Sequence, residues 1–249
     1  MSLTGTGQPG TADTLGRVAD RLPLFPLGAV LFPGLVLPLH IFEERYRRMV
    51  RDVVTLAEGA PGPIGVVAIR RGWEVEDAAA RSAQQRVSLT LYDIGCTAEI
   101  RQVTEYPDGR FDLVTVGRQR FRIIDVDADS KPYLIAEVER LAESTGETGL
   151  ADRLAPAVLA VFRRYLRLIR PNPDQADEQL PDDPTVLSYL VAATAALTLD
   201  DRQGLLAVLD TATRLRVERL LLSREVRLLS QVRAVPVPLT ELGTPASPN

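Results

Sequence analysis

The segment from Leu22 to Leu39 constrains the fold more than any other part of the sequence. It is largely apolar, yet it contains four prolines, at positions 23, 26, 33 and 38. A proline inside a helix removes a hydrogen bond and clashes with the preceding turn, so this segment cannot be helical. Proline also cannot donate in a central strand ladder. We therefore predict short strands and edges bent at the prolines, with a turn at Pro33-Gly34.

A helix is predicted next, over about residues 41–56. Apolar residues recur there at helical spacing, at positions 42, 46, 49, 50 and 53. From 64 to 138 short apolar runs return, with a hairpin turn at Pro107-Asp108-Gly109 and a break at Gly117. Several short strands and one inserted helix predict a closed or nearly closed mixed β-barrel over residues 21–140.

The second half of the chain is predicted to be helical. A polar connector over 139–149 precedes apolar residues at helical spacing, and Asp183-Pro184 is typical of a helix start. Thr198 is expected to cap a short helix, and a long last helix is expected from about 211 to 232. The predicted class is therefore α+β, with a helical bundle over 150–232. Residues 1–20 are predicted to be a disordered tail and residues 233–249 a flexible one.

The composition excludes several kinds of functional site. The chain has one histidine, His40, one cysteine, Cys96, and one lysine, Lys131. Zinc sites built from Cys and His need about three or four such ligands, and a disulfide framework needs paired cysteines. Because Lys131 is followed by proline, the Gly-Lys-Ser/Thr sequence of a phosphate-binding P-loop is absent. We predict no metal, no cofactor and no catalytic residue.

The charge and hydropathy patterns limit the partners. A net charge of −4 and an isoelectric point near 5.2 argue against nucleic acid, whose binding proteins usually have a basic surface. No stretch approaches the ~18 consecutive apolar residues of a membrane-spanning helix. The N-terminus also lacks an apolar secretory segment. We predict a cytoplasmic protein without a membrane partner.

Three aromatic residues in predicted turns and loops are candidates for a peptide-binding surface. They are Phe32 before Pro33, Trp73 in a polar loop and Tyr106 in a hairpin turn. Exposed aromatic side chains on loops often mark protein-binding surfaces. The alternative is that each of them packs on the barrel. His40 is expected to be structural or capping, and Cys96 to be a buried apolar side chain.

Several motifs resemble those of a known family. The longest is LPLFPLGAVLFPG at 22–34, which continues into LPLHIFEERYRRM at 37–49. Others are IGV at 64–66, YDIGCTAEI at 92–100, DGR at 108–110 and GRQRFRI at 117–123. They closely resemble the N-terminal, substrate-binding domain of the Lon protease family in its free-standing bacterial form. The resemblance covers about residues 21–230 and implies a PUA-like β-barrel followed by a helical bundle.

The resemblance also implies a function. In full Lon proteases this region helps to recognise unfolded or tagged polypeptide and passes it to an ATPase ring and a Ser/Lys peptidase. This chain has no P-loop lysine and no segment that would supply the Ser/Lys dyad. We therefore predict that it is not an enzyme and that it binds unfolded or extended polypeptide, as an adaptor or regulator of ATP-dependent proteolysis. A AAA+ protease is the expected protein partner, and a homo-oligomer is left open.

Two alternatives belong to other functional classes. PUA-like barrels often bind RNA, so a nucleic-acid or small-ligand binding module is the first alternative, although the net charge weighs against it. The second is an unrecognised hydrolase centred on His40 or Cys96.

Overall fold

The computed structural model describes residues 20–55, 61–71, 90–169 and 180–232, which form seven strands and five helices. The strands are β1 (Asp20–Leu27), β2 (Val36–Ile41), β3 (Ile64–Arg71), β4 (Thr90–Leu91), β5 (Ile94–Glu105), β6 (Phe111–Asp127) and β7 (Ile135–Arg140). The helices are α1 (Glu44–Thr55), α2 (Leu150–Ile169), α3 (Pro184–Thr194), α4 (Leu199–Ala207) and α5 (Thr211–Val232). Apart from Asp20, the two predicted tails lie outside the described residues.

The strands form one mixed sheet, in the hydrogen-bonded order β1-β7-β6-β5-β3-β4. β1 pairs with β7 in antiparallel fashion through residues 20–23, and with β3 in parallel through residues 24–27. β2 lies off this path and pairs with the first part of β6, from Val36 opposite Val116 to Ile41 opposite Phe111. The predicted α+β class, with a mixed sheet and an inserted helix, is confirmed.

The prediction of a closed barrel needs correction. Within the described ranges β2 pairs with β6 alone and β4 with β3 alone, so the seven strands do not all join in one closed barrel. The reason is the length of β6, which spans 17 residues and takes two partners on the side away from β5. It pairs with β2 through residues 111–116 and with β7 through residues 121–127. The second half of β1 therefore has no strand between it and β2.

Gly117 does not break the strand, contrary to the prediction. Its N–H donates to the Leu35 carbonyl at 2.8 Å, and its own carbonyl accepts from the Gly34 N–H at 2.8 Å. A Cβ atom at Gly117 would lie 2.2 Å from the Phe32 carbonyl oxygen, so a larger residue would have to displace the turn. The glycine is therefore the point at which the turn after β1 packs directly on the sheet.

The inserted helix α1 packs its apolar side on the sheet. Its predicted stripe is confirmed at Tyr46, Met49, Val50 and Val53, which are buried together with side chains of β1, β2, β3, β5 and β6. Phe42 is the exception, because it precedes the helix and is 48% exposed.

Four helices follow the sheet and pack on one another. α2, α3 and α5 share an apolar cluster that includes Phe162, Leu187, Leu215 and Leu222. Within the described parts of the chain, no helix is both long and apolar enough to cross a membrane. The division of the chain into a barrel subdomain over 21–140 and a bundle subdomain over 150–232 stays a prediction.

The helix starts use the predicted caps. The Asp183 carboxylate accepts from the N–H groups of Thr185 (2.8 Å) and Val186 (2.9 Å) at the beginning of α3. The Thr198 hydroxyl accepts from the Asp201 N–H (3.1 Å) at the beginning of α4. Each cap satisfies backbone donors that have no partner inside the helix.

Buried charges join the helices to the sheet. Glu143, which follows β7, pairs with Arg120 of β6 at 3.2 Å and with Arg214 of α5 at 2.9 Å. The two arginine side chains are only 2% and 0% exposed. Arg120 also donates to the Leu206 carbonyl at 2.9 Å, and the Arg214 guanidinium lies 3.9 Å from the Tyr189 ring centroid.

Candidate functional site

A cleft of about 210 Å³ lies between β1 and β2. It is lined by residues 25–27 of β1, by residues 38–43 and by Tyr46 of α1. It exists because β2 and β7 pair with different parts of β6, which leaves no strand between the second half of β1 and β2. We call it the β1–β2 cleft.

The floor of the β1–β2 cleft is apolar and rigidly packed. Phe25 and Tyr46 are buried with their ring centroids 4.5 Å apart, and Ile41 is buried beside them. The Arg45 guanidinium covers the Tyr46 ring at 4.5 Å from its centroid. Since α1 holds Tyr46 through its buried stripe, the floor is part of the main core of the sheet.

Phe42 forms an apolar rim at the end of β2. Its side chain is about half exposed, and its ring centroid lies 6.1 Å from that of His40. The outer face of β2 adds Val36 and Pro38, and Pro38 lies opposite the exposed Val114 of β6. The cleft therefore continues into an exposed apolar strip, the kind of surface that marks an interaction site.

A polar network extends outward from His40, which lines the cleft. Asp112, opposite His40 in the register, accepts from the Tyr106 hydroxyl at 2.6 Å and lies 2.6 Å from His40 Nδ1. The Tyr106 hydrogen bond, followed by that of His40, holds the pKa of Asp112 below its ordinary value. The same bond to Asp112 raises the pKa of Tyr106. Because an ionised carboxylate can only accept a hydrogen bond, His40 donates to Asp112 through Nδ1. The other ring nitrogen of His40, Nε2, lies 3.5 Å from Arg110 Nη1.

The two residues considered as catalytic centres are not brought together. Cys96 is buried in β5, and burial raises the pKa of its thiol to about 12, so it is not a nucleophile. His40 pairs with Asp112 of β6, and Asp112 pairs with Thr104 of β5. Thr104 is eight residues along β5 from Cys96. At the rise of a strand that is about 26 Å. No group of three or more His, Cys, Asp or Glu in the described residues could hold a metal ion.

Of the three predicted peptide-binding residues, Tyr106 does not line the cleft, but its hydroxyl contacts Asp112, which lies beside His40. The Tyr106 side chain is partly exposed and belongs to this polar network. The expected exposure of Phe32 is wrong: the side chain is 1% exposed and packs with Tyr189, Leu205 and Leu206 between sheet and helices. Trp73 lies outside the described residues.

Phe42 and His40 are site residues that the sequence pattern did not identify as such. Phe42 has the spacing of the α1 stripe, so its position predicts burial on the helix. The helix begins only at Glu44, and Phe42 stays at the rim. The available signal was the alternation along β2, where Val36, Pro38 and His40 are exposed while Leu39 and Ile41 are buried.

Comparisons with known proteins give one consistent result. A family model described as "ATP-dependent protease La (LON) substrate-binding domain" matches residues 21–224. Lon protease 2 of Herpetosiphon aurantiacus is 32% identical over 213 residues, which is 84% of this chain and 24% of that protein. Lon protease 2 of Myxococcus xanthus is 28% identical over 216 residues, 85% of this chain and 24% of that protein. The chain thus spans about a quarter of the length of these relatives.

Two solved structures share the fold. The Lon N-terminal domain protein from Xanthomonas campestris aligns with a TM-score of 0.50 at 23% identity, over 79% of this chain and 95% of that one. The N-terminal domain of Lon protease from the Mycobacterium avium complex aligns with a TM-score of 0.55 at 22% identity, over 82% and 98%.

Proposed function

Because the chain belongs to the substrate-binding domain family of the ATP-dependent protease La (Lon), we propose that it binds unfolded or extended polypeptide in the β1–β2 cleft. The observation that carries the proposal is an apolar cleft with Phe42 half exposed at its rim. An extended segment would cover Phe42 and the apolar strip of Val36, Pro38 and Val114, which removes apolar surface from water.

The proposed activity is binding without chemistry. The rim contains a histidine and a carboxylate, but the second ring nitrogen of His40 faces Arg110 and not a hydroxyl or thiol. Such a module would act as an adaptor or regulator of ATP-dependent proteolysis in the cytoplasm, with a AAA+ protease as its partner. Its β part would be the family's PUA-like barrel and its helices the family's C-terminal bundle. Self-association into a homo-oligomer is part of the same hypothesis.

The proposal is tested with a fluorescently labelled, cysteine-blocked unfolded protein and anisotropy as readout. The full chain is expected to bind it, and Phe42→Ser to weaken binding by about tenfold because an anchoring aromatic is lost. Leu220→Ser on α5 is the matched control, since Leu220 is also apolar and is 68% exposed. Both exposed substitutions should change the free energy of unfolding by no more than about 0.5 kcal/mol. No binding by the wild-type chain, or equal losses in both variants, would contradict the proposal.

Trp73 and Tyr106 remain proposed contacts. Trp73 is the single tryptophan of the chain, so an unfolded protein without tryptophan allows its emission to be followed on binding. A contact predicts a blue shift that saturates together with the anisotropy signal. An unchanged emission at saturation would remove Trp73 from the binding surface.

The nucleic-acid alternative has one feature in its favour. The outer side of α5 exposes Arg216, Arg219 and Arg227, whereas the acidic side chains of that helix, Glu218 and Glu225, are buried or partly buried. The same anisotropy assay with single-stranded RNA at two salt concentrations tests it. Binding that vanishes at moderate salt would reflect non-specific attraction only. Salt-resistant binding lost in Arg216→Glu would favour the alternative.

A further inference from the structure

The two strand edges that border the β1–β2 cleft differ from ordinary open edges. Along β6, the Gly117 N–H points to the β2 side, where it donates to the Leu35 carbonyl. Since backbone groups alternate along a strand, Phe111, Leu113 and Thr115 also point to β2. Their partners are Ile41, Leu39 and Leu37.

The backbone groups of the remaining β2 residues, at positions 36, 38 and 40, therefore face the open edge. Pro38 has no N–H, so of the β2 residues that line the cleft only His40 presents a donor at this edge.

The opposite edge is formed by β1. The Leu24 N–H donates to the Leu134 carbonyl at 2.8 Å, on the side away from β3. Because backbone groups alternate along a strand, those of Pro26, two residues after Leu24, also point away from β3. At this position that direction is toward the cleft. Pro26 also lacks an N–H, so this edge presents a carbonyl and no donor there.

A peptide that adds to a sheet as a new strand needs a donor and an acceptor at every second residue of the edge. Among the β1 and β2 residues that line the cleft, those that turn their backbone groups toward it are Pro26, Pro38 and His40, and two of these are prolines. Proline at an open edge is a device that prevents strand pairing. A regular backbone ladder with a bound segment therefore cannot run along the β1 and β2 edges of the cleft.

The charged groups of the rim are paired with each other. Arg110 Nε lies 2.7 Å from Asp108, His40 lies 2.6 Å from Asp112, and Arg45 lies 2.9 Å from Glu43. Because these charges are already paired, the rim offers no net charge for a ligand to complement. The part of a ligand that enters the cleft is therefore uncharged and apolar.

We infer that the β1–β2 cleft holds polypeptide by an inserted apolar side chain and does not read the backbone of the bound segment. This rests on the proposed function and specifies how the same cleft works. Without a hydrogen-bond ladder there is no preferred chain direction, so a segment binds in either orientation, provided that it offers a bulky apolar side chain.

The test measures binding of the full chain to a labelled, water-soluble peptide with one phenylalanine. Three derivatives of this parent peptide are compared with it. Replacing the phenylalanine by alanine is expected to weaken binding by about tenfold or more, because the buried apolar area is lost. N-methylation of the backbone on both sides of the phenylalanine, and reversal of the sequence, are expected to change affinity by less than about threefold. A loss of more than about tenfold on N-methylation or reversal would overturn the inference.

The two hypotheses fail in different ways. If the parent peptide does not bind at all, the proposed function fails. If it binds but N-methylation abolishes binding, only the inferred mode fails. Phe42→Ser is expected to weaken the parent, N-methylated and reversed peptides by the same factor, which shows that they share the cleft. Factors that differ by more than about threefold would contradict a shared, direction-independent site.

Discussion

At Glu218 a carboxyl group is buried in α5 without a hydrogen-bond partner for either oxygen among the described residues. Arg214, one turn earlier, also has a guanidinium nitrogen, Nη1, without a partner there. Burial raises the pKa of Glu218 well above its ordinary value, and the charge of Arg214 offsets this only in part. The folded protein therefore favours the neutral carboxyl, since an unpaired buried charge is costly.

Glu218→Gln is expected to remove a loss of stability at higher pH. In the wild type the unfolded chain ionises Glu218 above about pH 4.5, while the folded chain keeps it protonated to a higher pH. Stability is therefore lost as pH rises from there toward the folded pKa, by up to about 1.4 kcal/mol per pH unit. In urea unfolding at pH 5 and pH 8, the free energy of unfolding of the variant relative to that of the wild type should be higher at pH 8 than at pH 5. The exposed Glu147→Gln serves as control, and an equal difference at both pH values would contradict the account.

Gly117→Ala is expected to destabilise the fold by about 1–3 kcal/mol, because its Cβ would meet the Phe32 carbonyl and push the turn off the sheet. Gly204→Ala in α4 is the matched control. A Cβ there meets no atom within 4 Å, and alanine favours the helix by about 0.5–1 kcal/mol. Thermal unfolding is the measurement: the melting temperature should fall in Gly117→Ala and rise in Gly204→Ala. A neutral Gly117→Ala would mean that the turn is free to move.

At the scale of elements, α3 depends on its first turn. Its cap, Asp183, satisfies two backbone donors, and Pro184 occupies the first helical position. The helix carries Tyr189 and Ser188, which contact the buried Arg214. A local cap is thus connected to the contact between helices and sheet.

Asp183→Ala is expected to cost about 1 kcal/mol of stability because two N–H groups lose their acceptor. Asp182→Ala, the adjacent exposed acid, should change stability by less than about 0.5 kcal/mol. Chemical denaturation compares them at pH 7. Equal effects of the two substitutions would show that charge, and not capping, is responsible.

Across the whole molecule, Glu143 connects the two halves by pairing with Arg120 and Arg214. Both arginine side chains are almost fully buried, and Glu143 is the carboxylate that pairs with them. The β1–β2 cleft lies on the sheet and does not include residues of this junction. Stability and binding should therefore be separable.

Glu143→Ala is expected to destabilise the protein by about 3 kcal/mol, the lower end for a broken buried pair, because the Glu143 side chain is 34% exposed. Glu147→Ala, in an exposed pair with Arg153, should have little effect. At a temperature where the variant is folded, its affinity for unfolded protein should equal that of the wild type. A stable Glu143→Ala, or a folded one that binds more weakly, would contradict this separation.

Several elements could be predicted because their causes are local. The stripe of α1, the cap at Asp183 and the hairpin turn at residues 107–109 depend on neighbours in the chain. The site could be predicted only in part. Tyr106, chosen because it lies in a turn, is exposed, and its contact with a ligand stays a prediction. Phe32 satisfies the same criterion and is buried, because Gly117 leaves room for its turn on a distant strand.

The sequence by itself determined the α+β class, most helix limits and the family, since these follow from composition, period and motif. Only the tertiary structure decided where the cleft lies and which side chains border it. That depends on β6 taking β2 and β7 as successive partners on one side, a pairing between residues far apart in the chain. The local conformational preferences of residues do not predict such pairing, because its free energy comes from surfaces that meet only in the folded protein.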